Sequence, residues 1–272
     1  TCAPQNGSVQ LEQSSIQYFK VGSGVPVMLL HGLFAQKEEW TQFACQLATG
    51  GYTVFAPDLP GYGQSVGFPI ETYQLSKEVE SIHAFAQKIG LKTFHIAGNS
   101  MGGAIAALYA QKYPSEVKSI AFIGAPMGVV GWSPQMREAI TAGINPFIPI
   151  TVDQFNLELS LLFAKPPSID PAVKEAVVSE YVKNNRHYQQ VWDIVNLDIF
   201  VLKTPKKTLK PTFITLGKED GVFNITGRPL LNQQFPNHVS YVLKNMSHLV
   251  MLEQPNEIVD LYLPFLKSNA LQ

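Results

Sequence analysis

Five residues near the middle of the chain, Gly98-Asn99-Ser100-Met101-Gly102, have the spacing of a nucleophile presented on a sharp turn. In a G-x-S-x-G turn the serine sits at the apex between a strand and a helix, in backbone so tight that the positions on either side must be glycine. The hydroxyl then stands above the sheet, and the N-terminus of the following helix favours negative charge developing beside it. The context fits: residues 94–97 are an apolar run, and Gly103-Ala104-Ile105-Ala106-Ala107-Leu108 follows the turn. Ser100 is therefore the candidate nucleophile.

A serine hydroxyl needs a general base, and histidine is the side chain that titrates near neutrality. Of six histidines, His83 and His95 lie in the helix and strand before the nucleophile, His187 in a helical region and His238 in a Pro-Asn-His turn. His248, in Asn245-Met246-Ser247-His248, follows the last expected strand and precedes the closing helix. That position is the carboxyl edge of the sheet, where open α/β sheets bind ligands. The acid should lie between serine and histidine in chain order. Asp220, in Gly217-Lys218-Glu219-Asp220-Gly221, follows the expected strand 212–216 and can hold the imidazole in one tautomer. Glu219 is its rival; the alternative stretch 124–128 offers no carboxylate. For the oxyanion, one backbone N–H comes from Met101 and the other from the loop His31-Gly32-Leu33-Phe34, with Leu33 first and Phe34 second.

These residues require a scaffold of strands alternating with helices. Strands are expected at 27–30, 53–56, 94–97, 117–123, 212–216 and 239–243, and core helices at 73–89, 102–112 and 256–265. Between 126 and 204 the alternation stops. Helical patterns at 133–142, 152–163, 171–183 and 188–201 are punctuated by Pro146, Pro149, Pro166 and Pro167. Residues 17–125 and 205–272 thus form one core, 126–204 a helical insertion, and 1–16 an N-terminal extension free to be flexible.

With these residues located, the chain resembles the α/β-hydrolase superfamily. The resemblance is carried in order by His31-Gly32, Asp58-Leu59-Pro60-Gly61-Tyr62-Gly63-Gln64-Ser65, the Gly98–Gly103 turn, Gly217-Lys218-Glu219-Asp220, and Ser247-His248 with Glu253 and Pro255 behind it. Tyr113-Pro114 and Lys165-Pro166-Pro167 narrow it toward bacterial family V lipases and monoacylglycerol-lipase-like hydrolases. The resemblance implies a mostly parallel sheet flanked by helices, with a helical cap inserted after the sixth strand. It also implies cofactor-free hydrolysis of carboxylic esters of fatty acids, acylglycerols among them. Phe147, Phe155, Leu159, Leu162 and Phe163 of the insertion, with Phe34, are the candidate acyl-contacting residues, unless they only pack the cap. Carbon–carbon bond hydrolases of ring-cleavage products share the Gly-Asn-Ser-Met-Gly-Gly turn, but there a Trp follows the histidine, whereas Leu249 stands here. A non-catalytic binding protein on this fold would show a damaged triad; every part is present.

Composition sets the outer bounds. The 272 residues are 46% hydrophobic and 15% charged with formal net charge −1, which speaks against a nucleic-acid surface. Lys203, Lys206, Lys207 and Lys210 read as a solvated loop. No apolar run reaches the roughly 18 residues of a membrane helix. Cys2 and Cys45 alone give neither a disulfide framework nor metal spacing, so no metal is expected. Cys2 beside a polar stretch is either an ordinary cysteine or the lipid-bearing cysteine of a bacterial lipoprotein. The chain starts on Thr1, which favours an exported protein, envelope-associated or secreted, over a cytoplasmic one. The expected partner is a small ester or lipid substrate, and no oligomeric state is implied.

Overall fold

The computed structural model describes residues 2–203 and 207–270. Eight strands form one sheet: β1 (Gln5–Gln10), β2 (Ser15–Gly22), β3 (Val25–Leu30), β4 (Tyr52–Pro57), β5 (Phe94–Ser100), β6 (Val117–Pro126), β7 (Thr212–Gly217) and β8 (His238–Leu243). Their spatial order is β1-β2-β4-β3-β5-β6-β7-β8. The β1–β2 and β2–β4 pairs are antiparallel and the rest parallel. This is the α/β-hydrolase fold.

Alternation along the strands explains how the sheet is covered. In β3, Met28 and Leu30 face one way, against α2 (Leu75–Lys88) and α3 (Met101–Lys112). Val27 and Leu29 face the other, against α1 (Thr41–Thr49) and α10 (Pro255–Ser268), whose Phe43, Leu47, Ile258 and Tyr262 are fully or almost fully buried. A parallel sheet covered on both faces needs such apolar strands. The short helices α8 (Arg228–Gln234) and α9 (Val250–Glu253) complete the core.

Between β6 and β7 stand four helices: α4 (Pro134–Thr141), α5 (Val152–Leu162), α6 (Pro171–Lys183) and α7 (Asn185–Asn196). The insertion therefore follows the sixth strand. Its expected beginning, 126, is the last residue of β6; the expected boundary at 204/205, like Lys206, lies outside the described residues. The first helix of the insertion is capped by Ser133, whose Oγ accepts the Met136 N–H (3.0 Å) and donates to Gly221 O (2.6 Å). Phe155, Leu159 and Val178 form a small apolar cluster of their own joining α5 to α6.

Two features mark the N-terminus. The stretch expected as an N-terminal extension, 1–16, contains sheet: β1 pairs along its whole length with β2, from Gln5↔Lys20 to Gln10↔Ser15. Cys2 is joined to Cys45 of α1 by a disulfide. No disulfide framework was expected, and this bridge corrects that; a sulfur held in it is not free to carry a lipid thioether. Among the described residues no helix is long and apolar enough to cross a membrane.

Candidate active site

Ser100 ends β5 and begins the turn into α3 with φ 56° and ψ −117°, a conformation that costs a non-glycine residue energy and persists only when its surroundings enforce it. The surroundings do so. A Cβ on Gly98 would meet Gly102 O at 2.1 Å, and one on Gly102 would meet Leu30 O at 2.2 Å, so neither position admits a side chain. Asn99, the unspecified residue of the motif, locks the turn from behind. Its Nδ2 donates to Ile123 O (2.7 Å) and to His248 O (3.1 Å), tying the serine turn to β6 and to the histidine loop.

His248 and Asp220 meet at the carboxyl edge of β7 and β8. His248 Nδ1–H donates to Asp220 Oδ2 (3.1 Å), while Asp220 Oδ1 accepts the N–H groups of Val222 (2.8 Å) and Phe223 (2.9 Å). Both carboxylate oxygens are therefore fixed, and with them the plane of the imidazole. His248 is only 1% exposed, its ring lies against Phe223, and its Nε2 makes no hydrogen bond among the described residues. Ser100 and His248 line the same cavity of about 160 Å³, together with Gly32, Leu33, Phe34 and Asn99. Glu219 lies apart from this pair; its Oε2 accepts the Met246 N–H (3.2 Å).

The loop carrying Leu33 and Phe34 is held by polar groups beneath it. His31 Nδ1–H donates to Gly32 O (2.8 Å) and His31 Nε2 accepts the Leu59 N–H (3.0 Å); complete burial keeps this imidazole below its ordinary pKa, as the neutral ring these bonds require. Asp58 Oδ1 accepts the Lys37 N–H (2.7 Å), and its Oδ2 accepts from Lys37 Nζ (3.0 Å) and Gln64 N (2.9 Å). Ser65 Oγ donates to Asp58 O (2.8 Å). Phe34 adopts φ 60°, turning the chain at the cavity edge.

The insertion is stapled to the histidine loop. The Leu162 carbonyl at the end of α5 accepts the N–H groups of His248 (3.0 Å) and Leu249 (3.2 Å). Ser247 Oγ donates to Leu161 O (2.8 Å) and accepts the Gly221 N–H (3.1 Å), and Glu253 bridges Ser247 N (2.7 Å) and Ala164 N (3.0 Å). One hydroxyl thus ties together α5, the loop of Asp220 and the loop of His248.

The expected acyl-contacting residues divide. Phe34, Phe147 and Leu162 line the cavity. Phe155 and Leu159 do not: they lie on the face of α5 turned to α6, and Phe163 packs beside them. Glu158 and Leu162, four residues apart, form the face of α5 that does reach the cavity. Glu39, Glu158 and Tyr181 also line it and were not singled out from the sequence; Asn99 and Ser247 stood inside its motifs with no role of their own. The one sequence signal for Glu158 is a lone acid inside the apolar run Leu157–Leu162.

Known proteins resemble this chain in sequence and in fold. The family described as alpha/beta hydrolase fold matches residues 25–143. The solved structure of a membrane phospholipase A, described as a bacterial virulence factor, superposes with a TM-score of 0.89 at 29% identity, over 99% of this chain and 87% of that one. This chain has the α/β-hydrolase fold. Among curated relatives, this chain is 28% identical to Lipase 1 of Psychrobacter immobilis over 246 residues, covering 89% of this chain and 77% of that protein. It is likewise 28% identical over 263 residues to monoacylglycerol lipase abhd6-B of Xenopus laevis, covering 92% and 77%.

Proposed function

We propose that this chain cleaves carboxylic esters of lipids, acylglycerols among them, through an acyl-enzyme on Ser100. The observation that carries the reading is the pairing of His248 Nδ1 with Asp220 Oδ2, which leaves Nε2 free in the cavity that Ser100 lines. Nε2 takes the Ser100 proton as Oγ attacks the ester carbonyl, and Asp220 stabilises the imidazolium that results. The N–H groups of Leu33 and Met101 receive the oxyanion, each contributing on the order of 3 kcal/mol to lowering the barrier. His248 then returns the proton to the departing alcohol, and a water deprotonated by the same imidazole releases the fatty acid. The names of the relatives, lipases and monoacylglycerol lipases, support the substrate class.

The test is hydrolysis of p-nitrophenyl esters from acetate to palmitate by the protein and by Ser100→Ala. Turnover that falls by about 10⁴-fold or more in the variant is expected from loss of a nucleophile. Residual turnover within tenfold of the parent would contradict the mechanism.

A further inference from the structure

The cavity beside Ser100 holds two carboxyl groups that the mechanism above does not use. Glu158 of α5 is only 8% exposed, and its carboxyl makes no hydrogen bond among the described residues. Glu39, on the turn that follows the Leu33–Phe34 loop, has a fully buried Oε2 with no hydrogen-bond partner. Both line the cavity that Ser100 and His248 line, with the Tyr181 phenol beside them, and no Lys or Arg does. Lys37, two residues before Glu39 in the chain, is committed to Asp58, Glu38 and Gln64.

A carboxyl oxygen of Glu39 buried without a partner, beside the nine-tenths-buried carboxyl of Glu158, costs free energy that a purely structural role would avoid, since apolar residues of the same size would fill the space without it. Their place, between the serine loop and the insertion, is where the non-acyl part of an ester can lie. Resting on the ester-hydrolase reading, we infer that Glu39 and Glu158 form a subsite for the free hydroxyl groups of a polyol alcohol moiety, selecting a partly acylated polyol over a simple alkyl ester.

The protonation of the pair favours a neutral polyol over a cation. Burial, joined for Glu158 by the neighbouring Glu39, pushes both carboxyls up to about 8. At neutral pH the groups are mainly protonated, and a carboxylic acid both donates and accepts hydrogen bonds, as a hydroxyl does. An ammonium group would require them ionised. Burial and the nearby glutamates also keep the Tyr181 phenol protonated, a further donor on the same wall.

The subsite is tested with three esters of one fatty acid, the 1-monoacylglycerol, the methyl ester and the choline ester, measuring kcat/KM for the parent, Glu158→Leu, Glu158→Gln and Glu39→Gln. The parent should prefer the glyceryl to the methyl ester. That preference should fall about tenfold in Glu158→Leu, which keeps the volume and loses the hydrogen bonding, and less in the two glutamine variants. A preference within twofold of the parent in Glu158→Leu would overturn the subsite, Glu158→Ala deciding if the leucine variant does not fold. A larger loss on the choline ester than on the glyceryl ester would also overturn it, replacing a hydroxyl site by a cation site. A parent that cleaves none of the three would remove the ester-hydrolase reading and the subsite with it, a result distinct from turnover without selectivity.

Discussion

Replacing Ser247 by alanine should damage the protein twice, through stability and through the alignment of His248. The Oγ of Ser247 is the shared partner of Leu161 O at 2.8 Å and Gly221 N at 3.1 Å, and the residue is buried. Leu161 belongs to the last turn of α5, where carbonyls have no partner within the helix, and the loss of a hydroxyl leaves both groups orphaned. An unsatisfied buried group costs about 1–3 kcal/mol, so the two together should cost about 2–6 kcal/mol, the lower figure applying if a water enters the vacated space. Urea unfolding followed by circular dichroism reads this as a lower midpoint at unchanged slope. Ser160→Ala is the matched control: its hydroxyl donates to Leu157 O on an exposed face and should cost less than about 0.5 kcal/mol. Because Gly221 adjoins Asp220, kcat should fall in Ser247→Ala and KM change less. A Ser247→Ala variant as stable as Ser160→Ala would refute the claim that this hydroxyl joins the insertion to the site loops.

Two further outcomes follow from the geometry. Glu158 has a pKa raised to about 8 in the folded chain, well above its unfolded value, so between these values the folded state binds more protons than the unfolded one and stability falls as pH rises. Glu158→Gln should therefore raise Tm at pH 9 by an amount that shrinks toward zero near pH 5; an equal effect at both pH values would contradict the shift. The Cys2–Cys45 bridge closes a loop across a sequence separation of 43, and its reduction, or Cys45→Ser, should cost about 2–4 kcal/mol of stability. Scanning calorimetry with and without reductant checks this, and an unchanged Tm would argue against the bridge.

What could be seen in the sequence was what the chain settles locally. The Gly98–Gly102 turn is legible because two close backbone approaches leave no room for a side chain, whatever the rest of the fold does. His248 and Asp220 are legible because each follows an apolar strand, and strand ends share one edge of the sheet. The strands β1 and β2 escaped because an antiparallel edge needs no apolar run; Gln5–Gln10 carries one hydrophobic residue, Val9, in six. The Cys2–Cys45 pairing depended on where that edge lies against α1. Phe155 and Leu159 looked equal to Leu162 as apolar residues, and only the rotation of α5 separates the face on α6 from the face on the cavity. Glu39 and Glu158 are remote in sequence and become neighbours of Ser100 only when the insertion closes over the serine loop.

The most direct measurement is to label the protein with an alkyl fluorophosphonate and locate the adduct by peptide mass spectrometry, comparing the parent with His248→Ala. The phosphonate mimics the tetrahedral intermediate and bonds only to an activated oxygen. A single adduct on Ser100, formed rapidly in the parent and slowed by about 10³-fold or more without the imidazole, is expected of a serine activated by His248. An unlabelled Ser100, an adduct on another residue, or labelling equally fast in both proteins would contradict the acyl-enzyme mechanism.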